Sequence, residues 1–171
     1  AEAAVGTQSS SGLGYTYQYD SRVGGLNPDA GVLFEVSQDF YGLGGDIEYL
    51  QTTARSIAQR KILNGEVTLR ATLEGGAIVA PNNDTRVHNR FALSSSQIRG
   101  FEPLGIGPRD QTGTADDGLG GKYYAVARFD AEFPIGLPEE YGISGGLFYD
   151  IGSLWDTDGS LTNVVGNDFS L

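Results

Sequence analysis

The chain has 171 residues with no Cys, no Met and one His, and its 22 acidic against 11 basic residues give a formal net charge of -11. That excludes thiolate metal sites, disulfide scaffolds and cysteine nucleophiles, leaves His88 as the sole imidazole, and argues against a nucleic-acid partner, whose phosphates favour a basic surface. No apolar run approaches the ~18 residues of a transmembrane helix, no charged-then-apolar signal peptide opens the chain, and the absence of Met fits a mature or excised piece. Gly accounts for 26 residues, about twice its usual ~7% share, beside 9 Tyr and 8 Phe.

Period-two alternation, the mark of a strand with two unlike faces, recurs along the chain. Leu13, Tyr15, Tyr17 and Tyr19 share one face of a strand over 11–20. Val32, Phe34, Val36 and Phe40 share one face of a second over 31–41, with Glu35 and Asp39 opposite. A third strand is expected within 46–63, although its mixed pattern does not reveal its apolar face. Asn64-Gly65 is a type I′ hairpin signal leading into a fourth strand over 65–80. There Val67, Leu69, Ala71, Leu73, Ala77 and Val79 alternate with Thr68, Arg70, Thr72 and Glu74. Pro81 to Gly121 has no periodicity and reads as one long loop. The fifth strand, 122–134, sets Tyr123, Ala125, Ala127, Phe129, Ala131 and Phe133 against Tyr124, Val126, Arg128, Asp130 and Glu132. The sixth, 142–155, sets Ile143, Leu147, Tyr149, Ile151 and Trp155 against Ser144, Phe148, Asp150 and Leu154.

The expected fold is therefore all-β, an antiparallel meander of about six long strands. Strands of a soluble sandwich run ~5–6 residues, whereas a tilted membrane strand needs ~9–11. The last three strands reach the longer class, and their polar faces carry charge (Arg70, Glu74, Arg128, Asp130, Glu132, Asp150). A polar lumen inside an apolar outer wall accounts for both faces at once, and aromatics near the strand ends suit interfacial girdles. Six strands cannot close a barrel, since small membrane barrels have ~8. Either two strands hide in irregular segments or the chain belongs to a larger barrel.

Ser94-Ser95-Ser96-Gln97-Ile98-Arg99-Gly100-Phe101 resembles the Arg-Gly-Phe loop of the outer-membrane assembly factors of the bacterial surface antigen superfamily. The likeness continues through Leu104-Gly105-Ile106-Gly107-Pro108-Arg109, Gly120-Gly121-Lys122, the strand Ala125 to Pro134 and the strand Phe148 to Asp156. The resemblance implies that 1–171 is a partial outer-membrane barrel domain. It would supply about strands nine to fourteen of a sixteen-stranded transmembrane barrel, with 81–121 as its sixth extracellular loop folded into the lumen. It implies a loop-lock motif, Ile98, Arg99, Gly100 and Phe101, whose Arg99 meets lumenal acids at Asp130 and Asp150. The family often carries Glu at the first of these acids. Both acids fall on the polar faces of consecutive strands, which independently points them toward one compartment.

The function so implied is insertion and folding of outer-membrane proteins without nucleotide or metal, in the outer membrane of a Gram-negative bacterium. Its partners would be outer-membrane lipid, unfolded outer-membrane protein substrates, and assembly-machinery lipoproteins and periplasmic chaperones acting through parts absent from this chain. No enzymatic activity, cofactor or nucleic acid is expected. Two alternatives come from other classes: a two-partner-type secretion pore of the same superfamily, and a small closed outer-membrane barrel acting as an enzyme or adhesin. Other sites fail on local grounds. Gly42-Leu43-Gly44-Gly45 and Gly118-Leu119-Gly120-Gly121 lead into no helix, so neither is a phosphate loop. Asp156, Asp158 and Asp168 lack EF-hand spacing, and Asp130 with Asp150 reads as partners of a base before it reads as a glycosidase pair.

Overall fold

The computed structural model describes residues 11–22, 29–44, 48–81, 85, 87–111, 116–137, 139–157, 164–166 and 168–169. Six long strands follow the expected spans closely: β1 (Gly12–Asp20), β2 (Ala30–Tyr41), β3 (Tyr49–Ile62) and β4 (Val67–Val79), then β7 (Tyr123–Pro134) and β8 (Ser144–Trp155). Between and after them lie three two-residue strands, β5 (Arg109–Asp110), β6 (Asp117–Gly118) and β9 (Val164–Val165). The long strands form one antiparallel sheet in the order β1-β2-β3-β4-β7-β8. The described residues contain no α-helix and no helix long and apolar enough to cross a membrane.

Register assigns every side chain to a face, because directly paired residues of an antiparallel sheet project to the same side. Arg55 opposes Glu74, and Gln59 opposes Arg70, which opposes Asp130. Arg128 in turn opposes Asp150. The polar faces of β3, β4, β7 and β8 are thus one continuous inner surface. This resolves the third strand: Tyr49, Gln51, Thr53, Arg55, Ile57 and Gln59 face in, and Leu50, Ala54 and Ala58 face out. On the outer surface Leu73, Leu147 and Tyr149 are 54%, 69% and 60% exposed, so the apolar wall has no partner among the described residues.

The Asn64-Gly65 turn departs from the expected hairpin in one respect. Asn64 (φ 58) and Gly65 (φ 95) adopt the positive φ of a type I′ turn, closed by Glu66 N–H donating to the Leu63 carbonyl at 3.2 Å. Leu63 also takes a positive φ of 50, so strand pairing ends one step earlier, at Ile62 opposite Val67.

The long connection after β4 does not leave the sheet. Phe91 and Gly121 exchange two backbone hydrogen bonds of 2.9 and 3.0 Å, and the Phe91 ring meets Tyr124 edge-on at 4.8 Å. Tyr124 lies on the inner face, so the loop is folded onto that surface. The core sits at this contact. Loop residues Leu93 and Ile98 pack on Val126 of β7 and Leu154 of β8, while Tyr49, Ile78 and Ala80 form a second cluster touching Tyr41 and Phe91. The three short strands form a small ribbon in the order β6-β5-β9. It was not expected from the sequence, where the 81–121 segment reads as a structureless loop.

Candidate functional site

The loop presents its motif through a turn that satisfies itself. Gln97 N–H and Ile98 N–H both donate to the Ser94 carbonyl, at 2.9 and 3.0 Å. The Gln97 Oε1 accepts in return from Ser94 N–H at 3.0 Å and from the Ser94 hydroxyl at 2.7 Å. The turn sends Ile98 into the wall, where it is 2% exposed between Val126 and Leu154. A methyl group at Gly152 would stand 2.6 Å from the Ile98 Cδ1, so the wall has a notch where the loop's apolar anchor enters. Gly100 follows with φ 87, a left-handed conformation that glycine adopts without steric cost. It turns the chain out again, and Phe101 is left half exposed.

Arg99, between anchor and turn, reaches both acids. Its backbone N–H and Nε donate to Asp150 Oδ2 at 3.0 and 2.7 Å, and Nη2 donates to Asp150 Oδ1 at 2.5 Å. Nη1 donates to Asp130 Oδ1 at 2.6 Å. Nε and Nη2 together form the bidentate fork that guanidinium and carboxylate geometries favour. The two acids are unequal partners: the Asp150 side chain is 4% exposed and accepts three donors, whereas Asp130 is 34% exposed and accepts one. The hydrogen bonds to Asp150, with a smaller contribution from Asp130, hold the Arg99 guanidinium above its already high ordinary pKa. Its charge is permanent at any physiological pH.

Two further wall contacts carry no mark in the sequence. The Arg99 Cζ lies 4.0 Å from the centroid of the Phe148 ring, a cation–π contact. Alternation already puts Phe148 two residues from Asp150 on the same face, but an aromatic in a strand carries no mark of an arginine partner. Arg128 donates to the Ser96 carbonyl of the loop at 2.7 Å and to Glu74 Oε1 at 2.5 Å. Alternation places both residues on the inner face, but nothing in the sequence signals their link to the loop. Among the described residues no group of three or more His, Asp or Glu side chains is arranged to hold a metal ion. Asp158 lies outside the described residues.

A loop pinned by a partly buried ion pair to the charged face of a long-stranded sheet, whose other face is apolar and uncovered by any described residue, defines a section of β-barrel wall with an infolded loop. The model of the Omp85 superfamily domain matches residues 2–170, and the chain belongs to that superfamily. It is 28% identical over 158 residues, 92% of its length, to the outer membrane protein assembly factor BamA of Neorickettsia risticii (strain Illinois). It also matches the crystal structure of BamA from Haemophilus ducreyi lacking POTRA domains 1–3, with a TM-score of 0.73 and 18% identity over 84% of the chain. The chain spans 21% of the length of the first of these proteins and 30% of the second.

Proposed function

We propose that the chain is the loop-bearing section of an outer-membrane barrel, about strands nine to fourteen of sixteen, and that the parent protein inserts and folds other outer-membrane β-barrel proteins. Superfamily membership and the assembly-factor relative support this reading, as does an outer face that leaves Leu147 and Tyr149 uncovered. It needs no nucleotide or metal, because the work is done by backbone pairing: an incoming strand extends an exposed sheet edge. Its partners are outer-membrane lipid, unfolded barrel substrates, and lipoproteins and chaperones that engage other parts of the parent.

The observation that carries the reading is Arg99 seated between Asp130 and Asp150. Its role is to lock the loop to the wall, so that strands β7 and β8 and the loop move as one body while mobility is left to a seam elsewhere in the barrel. The test is complementation: the full-length protein carrying Arg99→Ala replaces the wild type in cells depleted of it. The proposal expects reduced assembly of outer-membrane proteins with the variant barrel still inserted. Parental assembly levels with Arg99→Ala would overturn the lock.

A further inference from the structure

The loop is held at a second point that the Arg99 motif does not include. Arg128 stands on the inner face of β7, directly opposite Asp150 of β8 and diagonal to Glu74 of β4, which opposes Val126. Its fork spans two elements: Nη1 donates to the Ser96 carbonyl at 2.7 Å and Nη2 to Glu74 Oε1 at 2.5 Å. Glu74 is 13% exposed and also receives Arg55 Nε of β3 at 3.2 Å. The Arg128 Nε is buried without a hydrogen-bond partner among the described residues, so its hydrogen bonds run through the two Nη atoms. The acceptor on the loop is equally specific. Ser94 and Gln97 satisfy one another inside the turn, which leaves the Ser96 carbonyl at the apex facing the wall.

The two arginines carry the same charge and work from opposite sides of the contact. Arg99 comes from the loop and takes two acids on β7 and β8. Arg128 comes from the wall and shares one acid, on β4, with a second arginine on β3. One attachment leaves the loop free to pivot about Arg99. A second, three residues earlier and on the opposite side of β7, fixes its angle.

We propose that Arg128 is a second positioning residue for the loop, aimed by Glu74 and braced by Arg55, which fixes the 94–97 turn against β4 while Arg99 fixes it to β8. This rests on the loop-lock reading above and extends it to strands the motif does not touch.

The test uses the full-length protein in its membrane. Ile98→Cys places a single reporter thiol in a segment without native Cys, at a position buried only while the loop is docked. Thiol labelling rates are compared after Arg128→Gln, Arg128→Lys, Glu74→Gln and Arg99→Ala. A charge-assisted hydrogen bond lost from the docked state should speed labelling about tenfold in Arg128→Gln, with the heat resistance of the barrel unchanged. Arg128→Lys should be only partly protected, because one ammonium cannot reproduce a fork. Arg128→Gln combined with Glu74→Gln should be no faster than Arg128→Gln alone, since Glu74 acts on the loop through Arg128. Labelling of Arg128→Gln at the parental rate overturns the inference. If Arg99→Ala is then still accelerated, Arg128 alone is misassigned; if it too labels at the parental rate, the loop lock falls with it.

Discussion

The asymmetry between the two acids sets what each contributes. Asp150 accepts three donors from Arg99 and is almost fully covered, so Asp150→Asn removes the charge the fork was built around. We expect the docked loop to lose about 1.5–3 kcal/mol, the scale of hydrogen bonds to charged groups. Asp130 gives one contact from a partly solvated position, and Asp130→Asn should cost under about 1 kcal/mol, as exposed pairs do. Limited proteolysis of the loop in the intact protein measures both; equal sensitivity of the two variants would contradict the assignment of Asp150 as the main partner. At the same scale, Gly152→Val fills the notch that admits Ile98 and should expose the loop to protease even with Arg99 intact. Arg99 and its acids were legible in the sequence because strand parity aims both carboxylates inward and the motif names the arginine. Arg128 was legible as an inward charge only. Its loop partner is a backbone carbonyl, which any residue type at position 96 would supply, so no sequence signal marks it.

At the scale of the strand, alternation was informative wherever the two faces meet different media. β7 is the sharpest case, with Tyr123, Ala125, Ala127, Phe129 and Ala131 on one side and Arg128, Asp130 and Glu132 on the other. β3 resisted because its outward Thr52, Ala54, Ser56 and Ala58 are small or polar, while its inward set includes the buried Ile57. Only pairing with a clearly patterned neighbour, Arg55 with Glu74 and Gln59 with Arg70, reveals its sidedness. The outward Gln38 and Thr52 explain part of the mixed pattern: Gln38 Nε2 donates to the Thr52 hydroxyl at 3.1 Å and Gln38 Oε1 accepts from the Tyr15 hydroxyl, so polar atoms on this face are paired with each other across β1, β2 and β3. Ala127 is the cleaner probe of the environment, lying mid-strand between Leu73 and Ile151. Ala127→Arg should destabilise the inserted barrel by ~2–4 kcal/mol, the cost of a cation at the bilayer midplane. Equilibrium unfolding in lipid vesicles checks this, and unchanged stability would mean the face does not meet lipid.

For the whole molecule, the sheet has two ends, β1 and β8, and among the described residues neither is covered by another long strand. Open edges pair with whatever backbone is available, so the 171-residue polypeptide alone in detergent should self-associate. Light scattering should give a mass above 18.1 kDa for the protein component; a heat-modifiable monomer would revive the small closed barrel. The strand order was legible because hairpins in a meander join neighbours. The fold of the long loop was not: its ribbon consists of two-residue strands, too short for any period, and its docking depends on contacts such as Ile98 with Gly152, far apart in sequence. That docking is the centre of the account, because lock, brace and motif all presuppose a loop lying on the inner wall. The most direct measurement is disulfide formation in the full-length protein within its native membrane. Ile98→Cys paired with Gly152→Cys brings together two positions that touch across the wall notch, whereas Ile98→Cys with Ile151→Cys pairs the anchor with the outward side of the same strand. The account predicts efficient cross-linking of the first pair under mild oxidation, no cross-link for the second, and loss of the first when Arg99→Ala is added. Absence of the Ile98–Gly152 cross-link in the otherwise unmodified membrane protein would contradict it.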